Sequence, residues 1–495
     1  MSRLQTAIIH ARYSQCNIID YSILPFLAWV LTSTVLSIIF ALLKFKLMKK
    51  LFLLTGLIAL CCLVSQCKKE ETVKPEVKSV SDYDGLVTQE WFKLECTIVK
   101  ETAGFFPPQA ARAFGYTGIA LYESIAQGWK SPVSLTGQLN GFSAGSVPAV
   151  ETGQEYHWGI VANYALGEII KKMFEQKISK DNLNRIFDLE TKWYDKFLME
   201  TTEAIAKRSK EYGNAVALAI FEYSKTDGGH ESYVDPFQLP YTWPKNNGAW
   251  VPTSATLNPL APRWASNRPF LNANITEGQP AAHTAYSTVV TSEFYKEAMQ
   301  VYNTVTNATS EQKEIAKFWA DDPFNTCTPT GHTFNIMTQL LEENNANLGT
   351  CAIGYAKLAI AENDAFIACW KTKYDYFLIR PVSYIKQNID ASFATVIGTP
   401  PFPAYTSGHA TEAAAGARIF TDMFTDGDGF YPFTDRTQLQ FGFSVRNFDN
   451  FNQMAEECAN SRLYGGIHYN TDNLNGLKMG RSIGDNVNKK IQWPE

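Results

Sequence analysis

The chain has 495 residues, 45% of them hydrophobic and 19% charged, with a formal net charge of −5. That composition is globular and excludes a largely disordered or collagen-like chain. The acidic balance argues against general nucleic-acid binding, while 13% aromatic residues suit a large core with deep pockets.

The first 66 residues differ from the rest. They carry six Lys/Arg against one acidic residue, and Tyr21 to Leu43 is an uncharged apolar run of bilayer-spanning length. MKKLFLLTGLIALCCLVSQCKKEE follows from Met48, with a basic start and an apolar run from Leu51 to Val64 of signal-peptide length. Val64-Ser65-Gln66-Cys67 reads as a lipobox, with Cys67 the residue lipidated after cleavage, although Gln66 is unusual just before that Cys. Lys69-Glu70-Glu71 is similar to the acidic tract behind the Cys in exported surface lipoproteins. The expected organisation is therefore a signal peptide over 48–66, a tether over 67–85 and a catalytic body over 86–495. Two readings of residues 1–47 stay open: an over-extended start, or a transmembrane anchor. The expected location is the outer membrane or periplasm of a Gram-negative bacterium, with a lipid anchor through Cys67. Nine Cys are present without the CxxC spacing of a zinc site.

From about Leu86 the period is helical. Apolar groups recur at i, i+3 and i+4 over 109–126, 156–177, 196–224, 310–320, 332–345 and 353–379, then over 410–424, 449–463 and 473–490. Long irregular segments lie near 225–285, 321–331 and 390–406, and loops of that length are usually functional. Strand-like alternation is scarce. The fold class expected is all-α, helices bundled around one core.

Three segments of the last third carry chemistry. In WKTKYDYFLIRP (370–381), Lys373 and Arg380 are seven apart, so on a helix they share a face with Trp370, and Pro381 is expected to end that helix. The flanking Tyr, Phe, Leu and Ile residues favour partly buried cations, which need an anion. In PPFPAYTSGHATEAAAG (400–416), a stiff run meets a helix start. Its free N–H groups favour an anion, Gly408 permits close approach, Ser407 offers a hydroxyl and His409 moves protons near neutral pH. Read alone, this stretch favours an ordinary N-cap, with Ser407 capping a surface helix. In SRLYGGIHYNTD (461–472), Gly465-Gly466 breaks the helix so that Arg462 and His468 can converge. Asp472, four beyond His468, can accept its Nδ1–H and leave Nε2 free. Three cations, a hydroxyl, a backbone N–H and two His suit a tetrahedral or trigonal-bipyramidal oxyanion such as phosphate or vanadate. Asp321 and Asp322 are candidates to orient Arg462, and His332 either reaches the site or serves its own loop.

Lys-x6-Arg-Pro, Ser-Gly-His and Ser-Arg-x5-His-x3-Asp together resemble the signature of the type-2 phosphatidic acid phosphatase and vanadium-dependent haloperoxidase superfamily, with Thr406 where that family usually has Pro before Ser-Gly-His. PPFPAY (400–405), with Phe402 at the halide-pocket position, and Trp370 are similar to the haloperoxidase branch. So are APRWASNRPF (261–270) and DDPFNTCTPTGHTF (321–334). The resemblance implies a vanadate cofactor, with His468 the vanadium ligand and Lys373, Arg380, Ser407, Gly408 and Arg462 holding its oxygens. It implies His409 as acid–base, Lys373 polarising bound peroxide, Trp370 and Phe402 at the halide, and Asp472 behind His468. The implied reaction oxidises halide with hydrogen peroxide to hypohalous acid, iodide and bromide being easier to oxidise than chloride. The alternative within the superfamily is an acid phosphatase, with His468 as nucleophile and His409 as general acid. Oligomeric state stays open, a homo-oligomer included.

Overall fold

The computed structural model describes residues 78–494, apart from 254–257, 427 and 428, together with Ile39. The signal, anchor and lipobox readings therefore fall outside the described residues. Val77–Glu495 forms one compact unit. Its core starts before Leu86, since Val80 is fully buried in a 3-10 turn over Val80–Asp82.

The architecture is helical, as the periodicity predicts. α1 (Leu86–Glu101), α2 (Pro107–Ile125), α3 (Trp158–Met173), α4 (Lys180–Leu198) and α5 (Glu203–Ser224) make the first bundle. A one-turn α6 (Ala273–Thr276), α7 (Glu293–Thr306), α8 (Ser310–Phe318) and α9 (Thr328–Glu343) lead to the central α10 (Leu348–Tyr376). α11 (Pro381–Asn388), α12 (Gly408–Phe424), α13 (Phe451–Tyr464) and α14 (Asn470–Lys490) complete the second bundle. α10 packs on α2 on one side and on α12 and α14 on the other. It is buried along almost its whole length, which explains why its sequence lacks a polar stripe. Among the described residues no helix is long and apolar enough to cross a membrane.

Some elements differ from the expectation. α1, α4 and α7 are helices that the predicted segments omit or merge. A hairpin of β1 (Phe433–Asp435) and β2 (Arg446–Phe448) pairs Phe433 with Phe448. Each strand has three residues, too few for alternation to register. Helix α10 stops at Tyr376 because Phe377 turns left-handed at φ 52°. Pro381 then opens α11 instead of ending α10, as its missing N–H allows at a helix start. Arg380 thus caps α11 and does not share a helix with Lys373.

The crossing of α12 and α14 decides where the two His segments meet. A Cβ at Gly480 would lie 1.9 Å from the Thr411 carbonyl oxygen, and one at Gly476 would lie 2.8 Å from that of Ser407. These glycines let α14 lie against the Ala-rich α12. Gly480→Ala is expected to push the helices apart, costing about 1–3 kcal/mol. Urea unfolding checks it.

Candidate active site

His468 precedes α14 and is buried. Its Nδ1 lies 2.8 Å from Asp472 Oδ2, which also accepts the Tyr469 N–H at 3.2 Å. Burial, then Arg380 and Lys373, hold the His468 pKa well below its ordinary value, so the ring is neutral at pH 7. With the proton on Nδ1, Nε2 presents a lone pair, which faces Arg380 Nη1 at 3.0 Å. Burial raises the Asp472 carboxyl to about 7, against the pull of Lys373 and Arg380.

Arg380 is fixed by Nε to the Phe402 carbonyl at 2.7 Å and Nη1 to the Ile467 carbonyl at 2.9 Å. Its Nη2 is buried without a partner. Arg462 gives Nη1 to the Trp319 carbonyl, and its Nε is likewise unpartnered. Burial lowers both guanidinium pKa values, that of Arg380 to about 9, so both remain charged at neutral pH. Among the described residues neither is bonded to a carboxylate. Asp321 and Asp322, the acids expected to orient Arg462, act on it only as nearby charge; a carbonyl does the orienting.

His409 is the second residue of α12. Its ring donates to the Ala320 carbonyl, and its Nε2 is buried and unpartnered. Burial and Arg462 hold its pKa well below the ordinary value. Ser407 is the N-cap of α12, its Oγ accepting from the Ala410 N–H at 3.4 Å. The capping role is thus real, and it stands beside the cation cluster. Gly408 lines the pocket, and a Cβ there would meet nothing closer than Trp370 at 3.8 Å.

Lys373 departs from the expectation in its partners. Nζ donates to the carbonyls of Pro403 (3.1 Å), Ala404 (3.0 Å) and Thr406 (2.6 Å), so all three protons are engaged in holding the turn before Ser407. Burial lowers its pKa to about 7. Phe402 lies under both cations, 5.0 Å from Lys373 Nζ and 4.9 Å from Arg380 Cζ, with the Trp370 ring 5.0 Å away. His409, Arg462, His468, Gly408, Trp370 and Phe402 surround one narrow cavity of about 20 Å³. With Lys373 and Arg380 beside Phe402, Ser407 capping the helix of His409 and Asp472 on His468, the structure brings the predicted site residues together from three separate segments.

Sequence reasoning missed the support behind them. His332 is fully enclosed between Asp321 and Asp435, 3.0 Å from each, and stacks on Trp319 at 4.7 Å. Burial alone would lower its pKa, but the two carboxylates raise it well above the ordinary value. The imidazolium pins residues 319–321, whose carbonyls aim Arg462 and His409. Asp435 lies 103 residues downstream of His332, beyond the reach of any local pattern.

The site selects its ligand. Among the described residues no three His, Cys, Asp or Glu side chains converge on a bare metal ion. Arg380 Nη2, Arg462 Nε and His409 Nε2 are instead orphaned together around the His468 lone pair. The two unpaired buried guanidinium donors fit an oxyanion whose central atom accepts one His nitrogen, and vanadate has that chemistry.

Residues 354–494 match the family model of the VCPO second helical-bundle domain. A bacterial vanadium-dependent iodoperoxidase of known structure is 33% identical, with a TM-score of 0.74, covering 83% of this chain and 97% of that one. The chain belongs to the vanadium-dependent haloperoxidase family. A bacterial vanadium-dependent chloroperoxidase shares the fold at 13% identity and TM-score 0.62, covering 84% of this chain and 98% of that one. The vanadium-dependent bromoperoxidase of Ascophyllum nodosum is 35% identical over 95 residues, so this haloperoxidase-family chain spans only 17% of that relative's length. Vanadate is the cofactor of the family, and the orphaned donors fit it.

Proposed function

We propose that the protein oxidises halide with hydrogen peroxide to hypohalous acid, using vanadate held at His468, with iodide and bromide preferred to chloride. One observation supports this above the others: two unpaired buried guanidinium N–H groups, Arg380 Nη2 and Arg462 Nε, stand beside a His nitrogen kept in its lone-pair state by Asp472. Bound vanadate acts as a Lewis acid toward peroxide and needs no change of oxidation state. His468 Nε2 would be the protein's bond to it, and Arg380 would turn Nη1 from Nε2 to an oxygen. Arg462 Nε and Arg380 Nη2, on guanidinium groups held by main-chain carbonyls, would donate to the vanadate oxygens. His409 Nε2, neutral and aimed into the cavity, accepts a proton when peroxide enters. Phe402 and Trp370 give the halide an apolar wall, and the likeness to an iodoperoxidase favours iodide.

The test is halide oxidation by vanadate-loaded protein with peroxide and iodide, bromide or chloride in turn. No oxidation of any halide, together with p-nitrophenyl phosphate hydrolysis that vanadate suppresses, would sink the proposal in favour of a phosphatase. The reading extends to export and a lipid anchor at Cys67, on the strength of the 48–71 sequence; intact mass of the native protein without a lipid increment would overturn that part.

The pH dependence has a definite sign. The base is the neutral form of His409, and its pKa lies well below 6.5. Lys373 and Asp472 titrate near 7, so the His409 limb is read as the difference between wild type and His409→Gln, and it is expected well below 6.5. A fall of the iodide kcat/KM into acid that is unchanged in His409→Gln would exclude His409 as the base.

A further inference from the structure

Cys96 and Cys327 belong to no part of the site described above. Cys96 lies in the last half of α1, and Cys327 is the residue that caps the N-terminus of α9. Burial pushes the Cys96 thiol well above its ordinary pKa, with Cys327 a neighbouring group that adds to the shift. Both flank Gly331, where a Cβ would meet Cys327 Sγ at 2.6 Å and Cys96 Sγ at 3.6 Å. Cys96 Sγ donates to the Gly331 carbonyl at 3.6 Å, and Asn335 Nδ2 donates to Cys327 Sγ at 3.3 Å. The other described cysteines stand apart. Cys351, Cys369 and Cys458 each donate to a different carbonyl, those of Ala346, Thr406 and His409.

Cys96 and Cys327 are 6% and 2% exposed, and both line a cleft of about 730 Å³, rimmed by Lys93, Lys100, Gln339 and Arg436. A disulfide needs Cβ atoms about 3.8 Å apart, so closing it requires a turn of each side chain about Gly331.

We propose that Cys96 and Cys327 are a peroxide-closed dithiol that staples α1 to the start of α9. Hydrogen peroxide oxidises Cys327 Sγ, which accepts the Asn335 N–H, to the sulfenic acid, releasing one water. The Cys96 sulfur then attacks it, the S–S bond forms, the S–O bond breaks and a second water leaves. Two electrons pass from the sulfurs to the peroxide oxygens, and both thiol protons leave in water. The staple braces the turn that carries Pro329 into the active-site wall and His332 into its clamp.

Peptide mapping of the purified full chain tests this. The protein is treated with hydrogen peroxide alone, unfolded, alkylated with iodoacetamide and digested. The expected product joins the Cys96 and Cys327 peptides, lighter than their sum by two hydrogen atoms and separated again by dithiothreitol. Cys351, Cys369 and Cys458 should be alkylated as thiols. Cys327→Ser should lose the cross-link while keeping the halide oxidation of reduced wild type. The proposal is overturned if Cys96 and Cys327 are both alkylated after peroxide, or if either ends as sulfinic or sulfonic acid with no joined peptide. Mapping of the wild type decides alone if the variant does not fold.

Discussion

His468→Ala is expected to lower vanadate-dependent iodide oxidation by about a thousandfold or more, the scale on which removal of one preorganised group at a reacting centre is felt. The variant loses the nitrogen lone pair that faces Arg380, while Arg380 keeps its bonds to the Phe402 and Ile467 carbonyls. The pocket should therefore stay folded and cationic. Equilibrium dialysis against vanadate separates binding from rate: the variant should bind vanadate weakly as a simple anion, without turnover. Asp472→Asn should fall between, with about 10–100-fold weaker vanadate binding, because it leaves Nε2 in place and disturbs only the proton on Nδ1. If His468→Ala oxidised iodide at the wild-type rate, His468 would not be the ligand.

The second large effect is on stability. His332→Ala would leave Asp321 and Asp435 buried without the cation between them, and breaking a buried charge network in this way costs about 3–5 kcal/mol. Urea unfolding measures it. The pH profile of the difference distinguishes charge from packing. His332 has a folded pKa raised above 6.5, so its contribution is whole below that pH and is lost as pH rises through the raised value. Burial pushes the Asp435 carboxyl up, yet His332 holds it below 3.8 overall, so its contribution is present above 3.8 and is lost as pH falls through the lowered value. The gap between wild type and variant should be widest between these limits and narrow toward both extremes. A gap independent of pH would mean that only packing was lost.

What could be read from the sequence was what is local in the chain. Ser407-Gly408-His409 at a helix start and the four-residue step from His468 to Asp472 need no knowledge of the fold, and both stand as expected. The Lys373–Arg380 pair was legible as two buried cations but not as a geometry, because the left-handed Phe377 leaves no mark that a seven-residue spacing would show. The groups that aim Arg462 and His409 are the carbonyls of Trp319 and Ala320, and a carbonyl has no residue identity to notice. His332 was visible as a histidine, but its second carboxylate comes from a hairpin too short to predict.

Those main-chain acceptors bear on how the enzyme can change over generations. A single-codon replacement at 320 alters a methyl group and leaves the oxygen that His409 holds; the three oxygens around Lys373 are equally beyond the reach of point mutation. The aim of the reacting groups is thus insulated from substitution and sensitive to insertion or deletion, which would reroute the chain. Lineages could vary Trp370, Phe402 and the other residues lining the cavity, and so explore new halides or organic acceptors, while inheriting the same aim.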